Sequence, residues 1–370
     1  MRIASFNLEN LFSRARIMNL EDWSAGAGIL TEFSRLNTLL QKETYTEADK
    51  KEILASIETL GMLGRNEGEY VILRECRGCL IKRGKNRPPE IVADGRDDWV
   101  GWLELKTEAV DDIAVRMTAK VVKDVGADIL AVIEAEDRIA LRHFNDQLLK
   151  PVGAAYDGIM LIDGNDDRGI DVGLLTKGQY EIESMVSHVD DKRSGRRIFS
   201  RDCPEYFVKC EGERPLLILV NHLKSKGYGA QDDSDQRRKV QAERVREIYD
   251  LRRSQGYEFV AVVGDFNDTP DSGPLSPLLS GNSELKDIFD HPLFEGDGRP
   301  GTFANGAKSN KIDYILLSPA LFQRVTRGGV WRKGVWGGAN GTLFPHYEEI
   351  TQASHAASDH AAIWVDMDLG

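Results

Sequence analysis

Asp265 and Asn267 follow the apolar run at residues 259–263, with Gly264 ending the run and Thr269-Pro270 closing the turn. Five mostly β-branched or aromatic apolar residues have the length and composition of a strand buried on both faces. Alternation past its end sends Asp265 and Asn267 to one side and Phe266 to the other. Taken alone, such a pair is an ordinary Asx-turn. It is not alone: Asn7 follows the run 3–6, Glu134 the run 127–133 and His222 the run 216–220, Asp313 lies near the start of 311–319, and Asp359 and His360 precede 361–365. A single acid, amide or histidine at a strand end is usually a cap, a turn or a satisfied hydrogen bond. Eight of them at the ends of buried apolar strands form a set with chemical content. Glu134 and Asp359, with the amide oxygen of Asn7, offer hard oxygen ligands suited to Mg²⁺ or Mn²⁺, which keeps waters and takes one or two carboxylates. Without clustered histidines, zinc is a poorer fit.

The elements that position these residues follow in chain order. Residues 112–125 form an amphipathic helix, and 127–133 a continuous apolar strand. Glu136 and Asp137 open a helix over 138–150, where acids suit the helix dipole and need no catalytic role. Strands are predicted at 168–175 and at 180–189, the latter continuing the same sheet. Residues 206–210 should pair with 216–220 across the turn Glu211-Gly-Glu213. A charged helix covers 235–251, and the glycine-rich stretch 328–341 reads as a mobile loop. Between 14 and 105 lie helical pieces at 29–40 and 48–60, and two expected hairpins, 71–74 with 79–82 and 90–93 with 99–105. That stretch is too long for a loop between neighbouring elements. It is expected to be a folded insertion packed on the main domain.

Composition bounds the function. The chain has 370 residues, 41% hydrophobic and 29% charged, with a formal net charge of −12, which is ordinary for a globular protein. A surplus of acid opposes any mode of holding nucleic acid by bulk electrostatics. No apolar run approaches the roughly 18 residues that span a bilayer, and the first residues already alternate as a strand where a leader would be apolar, so the expectation is a cytoplasmic protein. Cys76, Cys79, Cys203 and Cys210 fit a reducing compartment as free thiols.

In order, Ser5-Phe-Asn7, Asp128-Ile-Leu-Ala-Val-Ile-Glu134, Val220-Asn-His222, Gly264-Asp-Phe-Asn267, Lys311-Ile-Asp313-Tyr314 and Ser358-Asp-His360 resemble the motifs of the endonuclease/exonuclease/phosphatase superfamily. The resemblance covers the whole chain apart from about residues 14–105. It implies an α/β fold of DNase-I-like type, a four-layer α/β/β/α sandwich of two packed, mainly antiparallel sheets with outer helices. Residues 1–370 would form one phosphoesterase domain, with 14–105 an insertion able to cap the active site. The implied activity is divalent-metal-dependent phosphoester hydrolysis by in-line attack of water, with one or two Mg²⁺ or Mn²⁺ ions. Glu134 would be the principal metal ligand, with Asn7 and Asp359 beside it. Asp265 would orient or deprotonate the water, and Asn267 would donate to the phosphoryl oxygens. His360, held by Asp313, would contact the phosphate, and His222 would be a further donor or an acid for the leaving group. Arg168, Arg201, Lys224 and Lys226 resemble positions in bacterial relatives and would meet substrate phosphate. Ile133 departs from the family, which often has a polar residue before the metal-binding Glu. A phosphodiesterase or nuclease acting on small diesters, nucleotides or nucleic-acid ends is the first reading. An inositol-phosphate or lipid type of phosphomonoesterase is the alternative, and a non-catalytic binding module the remote one. No membrane partner is expected, and oligomeric state stays open.

Overall fold

Continuous apolar runs build two sheets whose central strands are buried on both faces. The computed structural model describes residues 1–20, 23–85, 87–166, 168–210, 215–226 and 231–369. The chain divides into a larger compact unit, Met1–Phe12, Val110–Lys226 and Ala230–Gly370, and a smaller one built on Ser13–Ala109.

In the larger unit the sheet strands, in chain order, are β1 (Arg2–Asn7), β2 (Ile129–Ala135), β3 (Gly158–Leu161), β4 (Asp171–Thr176), β5 (Ile182–Val186), β6 (Glu205–Val208), β7 (Leu216–His222), β8 (Phe259–Asp265), β9 (Lys286–Asp287), β10 (Phe294–Glu295), β11 (Asp313–Leu317), β12 (Val325–Trp331) and β13 (Ala362–Met367). A seven-stranded sheet runs β10-β12-β13-β1-β2-β4-β3, and a six-stranded sheet β5-β6-β7-β8-β11-β9. Each is mainly antiparallel with a parallel pair at its centre, β1 with β2 and β7 with β8. The inner faces meet through Ile3, Ile129, Ala131 and Ile133 on one side and Leu216, Ile218, Val220, Ala261, Val263 and Ile315 on the other. On the outer face of the first sheet, Ala4, Phe6, Leu130 and Val132 pack against Val115, Val121 and Val122 of α1 (Asp112–Val125). On the outer face of the second, Leu217, Leu219, Val260 and Val262 pack against Ala242, Val245 and Ile248 of α3 (Gln231–Ser254), α2 being Arg138–Phe144. The result is the four-layer α/β/β/α sandwich. Asp111 caps α1 by accepting from Ile113 N, and Gly126 ends it at φ 62°, the left-handed C-terminal turn that glycine favours.

Three expectations are corrected in this unit. Residues 180–189 do not continue the first sheet: β5 pairs with β6 in the second, so the chain changes sheets after β4. The predicted strand at 168–175 begins only at Asp171, because its charged entry is held in side-chain contacts. Nor is 328–341 all loop. Gly328 and Gly329 lie within β12, where an added Cβ would come 3.1 Å from Phe294 and 3.0 Å from Trp364; glycine serves close packing there. The 206–210 with 216–220 pairing is present as β6 with β7, while the turn at 211–213 lies outside the described residues.

The smaller unit has its own core of Leu36, Ile53, Ile57, Leu80, Trp99 and neighbours. Its ends, Ser13–Ala15 and Thr107–Ala109, pair antiparallel. Helices occupy Trp23–Leu40 and Glu47–Thr59, the second opened by a capping box between Thr46 and Asp49. The two predicted hairpins are replaced by a nested arrangement. Val71–Arg77 pairs with Val100–Leu105, and Ile81–Gly84 pairs with Arg87–Ile91 inside it. Register explains the exchange: Val71 opposes Leu105 and Leu73 opposes Leu103, which matches apolar with apolar and outweighs nearness in sequence.

Candidate active site

Inner-face periodicity carries past the apolar residues to the strand ends. In β7, residues 216, 218 and 220 face the core, so His222 does too; in β8, 261 and 263 are followed by Asp265, and in β11, Asp313 precedes Ile315 and Leu317 on the same face. Register places His222 opposite Asp265 and Asp265 opposite Asp313, a row of three across neighbouring strands. From the first sheet, Asn7 continues the Ile3 and Ser5 face, and its Nδ2 lies 3.3 Å from Asp265 Oδ2. The ends of the two parallel pairs thus meet at one place.

Glu134 reaches it by breaking the alternation. The register between β2 and β4 slips there, Val172 opposing Ile133 and Asp171 opposing Ala135, and Glu134 has φ 59°. A left-handed non-glycine residue at a bulge is strained backbone of the kind that re-aims a side chain. Ile133 stays in the core between the sheets, and Glu134 Oε1 comes 3.5 Å from His222 Nε2, which is itself 3.6 Å from Asp265 Oδ2. Asn267 is also left-handed, φ 54°. Its backbone N donates to Asp265 Oδ1 at 2.8 Å, and its Nδ2 to Asp265 Oδ2 at 3.2 Å and Leu223 O at 3.2 Å. Phe266 points the other way and stacks on Tyr314.

His360 faces Asp313, Nδ1 to Oδ2 2.9 Å. Thr302 Oγ1 donates to the same oxygen at 2.5 Å. The other ring nitrogen, Nε2, lies 3.5 Å from Asn7 Nδ2, 3.7 Å from Asp359 Oδ1 and 3.9 Å from Asp265 Oδ2. Ser358 Oγ ties the segment to β1 by donating to Asn7 O at 2.8 Å, and Asp359 N donates to Glu9 Oε2 at 3.0 Å.

Electrostatics divides the pocket. Burial opposes a charge on His360, but Asp313, with Asp359 and Asp265 beyond it, outweighs burial and raises the imidazole well above its ordinary value. His222 is driven the opposite way, first by burial and then by Arg201 and Arg168. Burial, then Asp313, pushes Asp265 up to about 8. Arg168, Arg201 and Lys224 stand together: Arg168 Nη2 contacts Asp166 Oδ2 at 2.7 Å, Arg201 Nε is 3.0 Å from the same atom, and burial followed by Arg168 and Arg201 lowers Lys224 to about 7. Lys226 departs from that group. It is half exposed and held by Asp268 Oδ1 at 2.5 Å.

Two trios, Glu134–His222–Asp265 and Asp265–Asp313–His360, each bring ligand atoms within 4.8 Å of one another. Burial first, and then the neighbouring carboxylate Asp313, disfavour the charge on Asp265, and a hard divalent cation would offset both. The donor set therefore fits such an ion. Asn7 Oδ1 accepts from Glu9 N at 3.0 Å and its Nδ2 faces Asp265, so in this rotamer Asn7 also serves Asp265 as a donor. Sequence reasoning missed Asp166, Thr302 and Glu9. Asp166 and Glu9 had a signal in their two-residue spacing from Arg168 and Asn7; Thr302 had none.

A sandwich of two sheets with carboxylates, amides and imidazoles gathered where their parallel pairs end defines the class, a DNase-I-like protein. The sequence profile of the Endonuclease/Exonuclease/phosphatase family matches residues 85–331, more than half of the chain. The chain belongs to the endonuclease/exonuclease/phosphatase family, a family of phosphoester hydrolases. Similar solved structures include a mannosyl-6-phosphatase of Bacteroides thetaiotaomicron, 18% identical over 70% of this chain and 92% of that one, TM-score 0.49. The human nocturnin catalytic domain is 17% identical over 70% and 88%, TM-score 0.49. Truncated TDP2 of Caenorhabditis elegans is 18% identical over 68% and 90%, TM-score 0.47. Among curated proteins nothing matches. Among the described residues, no helix is long and apolar enough to cross a membrane.

Proposed function

We propose that this chain is a divalent-metal-dependent phosphodiesterase that cleaves by in-line attack of water. The observation that carries the reading is the row His222, Asp265, Asp313 across one sheet end, met by Asn7 and Glu134 from the other and completed by His360. Glu134, with Asn7 and Asp359, would hold Mg²⁺ or Mn²⁺, which supplies Lewis-acid charge to the phosphoryl oxygens when bound. Asp265 orients the water and takes its proton; a bound divalent cation would favour the ionised form of a carboxylate that burial and Asp313 raise to about 8 without it. Asn267, whose Nδ2 donates to Asp265 and Leu223, would turn that amide toward the substrate, and His360, cationic because Asp313 supports it, donates Nε2 to oxygens that gain charge in the transition state. Neutral His222 adds a donor on the opposite side. Arg168, Arg201 and Lys224 face substrate phosphate.

The test is hydrolysis of bis-(p-nitrophenyl) phosphate against p-nitrophenyl phosphate with Mg²⁺ or Mn²⁺. The diester should be the better substrate by kcat/KM. Preference for the monoester would move the assignment to the phosphomonoesterase reading, and loss of both would leave a binding module.

A further inference from the structure

Two polar side chains interrupt the packing face of α3. Ala242, Val245, Ile248 and Tyr249 lie in the core on the outer face of the second sheet, and the three- and four-residue spacing carries the same stripe back to Gln241 and Arg238. Both are 0% exposed. A buried guanidinium or amide is costly unless its groups are answered, and a buried ion pair adds little stability over apolar packing of the same volume. Stability alone therefore does not account for two such residues where an apolar stripe would seat the helix.

Their partners do. Arg238 Nε donates to Asp268 Oδ2 at 2.9 Å, Nη1 to Lys224 O at 2.6 Å and Nη2 to Asp235 Oδ1 of the same helix. Gln241 Oε1 accepts from Lys224 N at 2.7 Å, and its Nε2 donates to Ile198 O at 3.1 Å and Ser200 Oγ at 3.4 Å. Lys224 is gripped at both backbone groups, N by Gln241 and O by Arg238. Three segments converge on the pair: 222–224 at the end of β7, with His222 and Lys224; 265–268 at the end of β8, with Asp265 and Asn267; and 198–201 before β6, with Arg201. The first two are also stitched together, Leu223 N donating to Asp265 O at 2.9 Å and Asn267 Nδ2 to Leu223 O at 3.2 Å. Asp268 extends that tie, its Oδ1 accepting from Thr269 N at 3.0 Å and its backbone O from Tyr314 Oη at 2.7 Å.

We propose that Arg238 and Gln241 are positioning residues of the active site. Gln241 sets the substrate-phosphate side by holding Lys224 to the segment of Arg201, and Arg238 sets the water side by holding Lys224 to the segment of Asp265 and Asn267. This rests on the phosphodiesterase reading of the site. The two act through other residues, and misplacing a reacting group by about 1 Å can cost about a hundredfold in rate. Loss of a substrate-phosphate contact appears in KM, and loss of alignment at the base appears in kcat.

Gln241→Met and Arg238→Met test this, since methionine keeps the stripe filled without its hydrogen bonds. In the Mn²⁺-supplemented protein, Gln241→Met should raise KM for bis-(p-nitrophenyl) phosphate about fivefold or more with kcat within about twofold, whereas Arg238→Met should lower kcat about tenfold or more. Hydrogen exchange, followed by mass spectrometry, needs no turnover. Gln241→Met should speed it at 198–203 and 222–226 and leave 265–270 unmoved; Arg238→Met should speed it at 222–226 and 265–270 and leave 198–203 unmoved. If Arg238→Met does not fold, Gln241→Met carries both readouts. Folded variants with unchanged KM and kcat, a reversed split, or exchange that rises evenly over the sandwich would overturn the assignment and leave the pair as packing. If the wild-type protein cleaves no diester, the phosphodiesterase reading fails instead, and the exchange pattern decides the positioning role by itself.

Discussion

His222 and His360 approach the same carboxylate, Asp265, from two sides at 3.6 and 3.9 Å, yet their neighbourhoods push them to opposite charge states. On the His360 side stand Asp313 and Asp359; on the His222 side stand Arg201 and Arg168. Burial disfavours the cation at both. The difference teaches that the partner, rather than the depth, decides which histidine is charged, and that one pocket can present an imidazolium to a developing oxyanion and a neutral ring a few ångströms away.

The largest effects should come from the charged side. Asp265→Ala and His360→Ala should each lower kcat on a diester by about a hundredfold or more with the fold retained; steady-state kinetics and circular dichroism check this. Asp313→Asn breaks the asymmetry without touching substrate. His360 then loses the charge that raises its pKa, so the alkaline limb of the pH profile, where activity falls as the imidazolium loses its proton, should move to lower pH. At neutral pH kcat should fall about tenfold, the lower end of an acid/base contribution. An unmoved limb would mean that Asp313 does not set the charge of His360. Glu134→Gln should weaken Mn²⁺ binding by about tenfold through loss of one anionic ligand, read by titration calorimetry. The smallest effect concerns substrate size. If the segment 14–105 restricts entry, kcat/KM for a small chromogenic diester should exceed that for nicking supercoiled plasmid at equal metal and low salt. Efficient nicking with poor use of small diesters would discard the cap.

The sequence displayed this site unusually well because its residues end apolar runs. Asn7, His222, Asp265 and Asp313 follow from period-two alternation alone, and the sandwich follows from strands apolar on both faces. Glu134 was legible as a strand-end acid, but its left-handed backbone was not, since no propensity announces a bulge at a glutamate. The Asp166 pair with Arg201 depends on the loop before β4 and the loop before β6 meeting in space, which local pattern does not encode. The swapped hairpins of the smaller unit failed for a related reason: short apolar runs specify that they pair, while register with a more distant partner specifies with which.

The central claim, that Asp265 works in a metal-dependent diesterase, is tested most directly by kcat for bis-(p-nitrophenyl) phosphate as a function of Mn²⁺ concentration, wild type beside Asp265→Asn. Wild-type protein should show saturable activation from a negligible metal-free rate, and the variant should reach a plateau about a hundredfold lower or less. Hydrolysis that ignores the metal, or a folded Asp265→Asn protein with near wild-type kcat, would contradict the account.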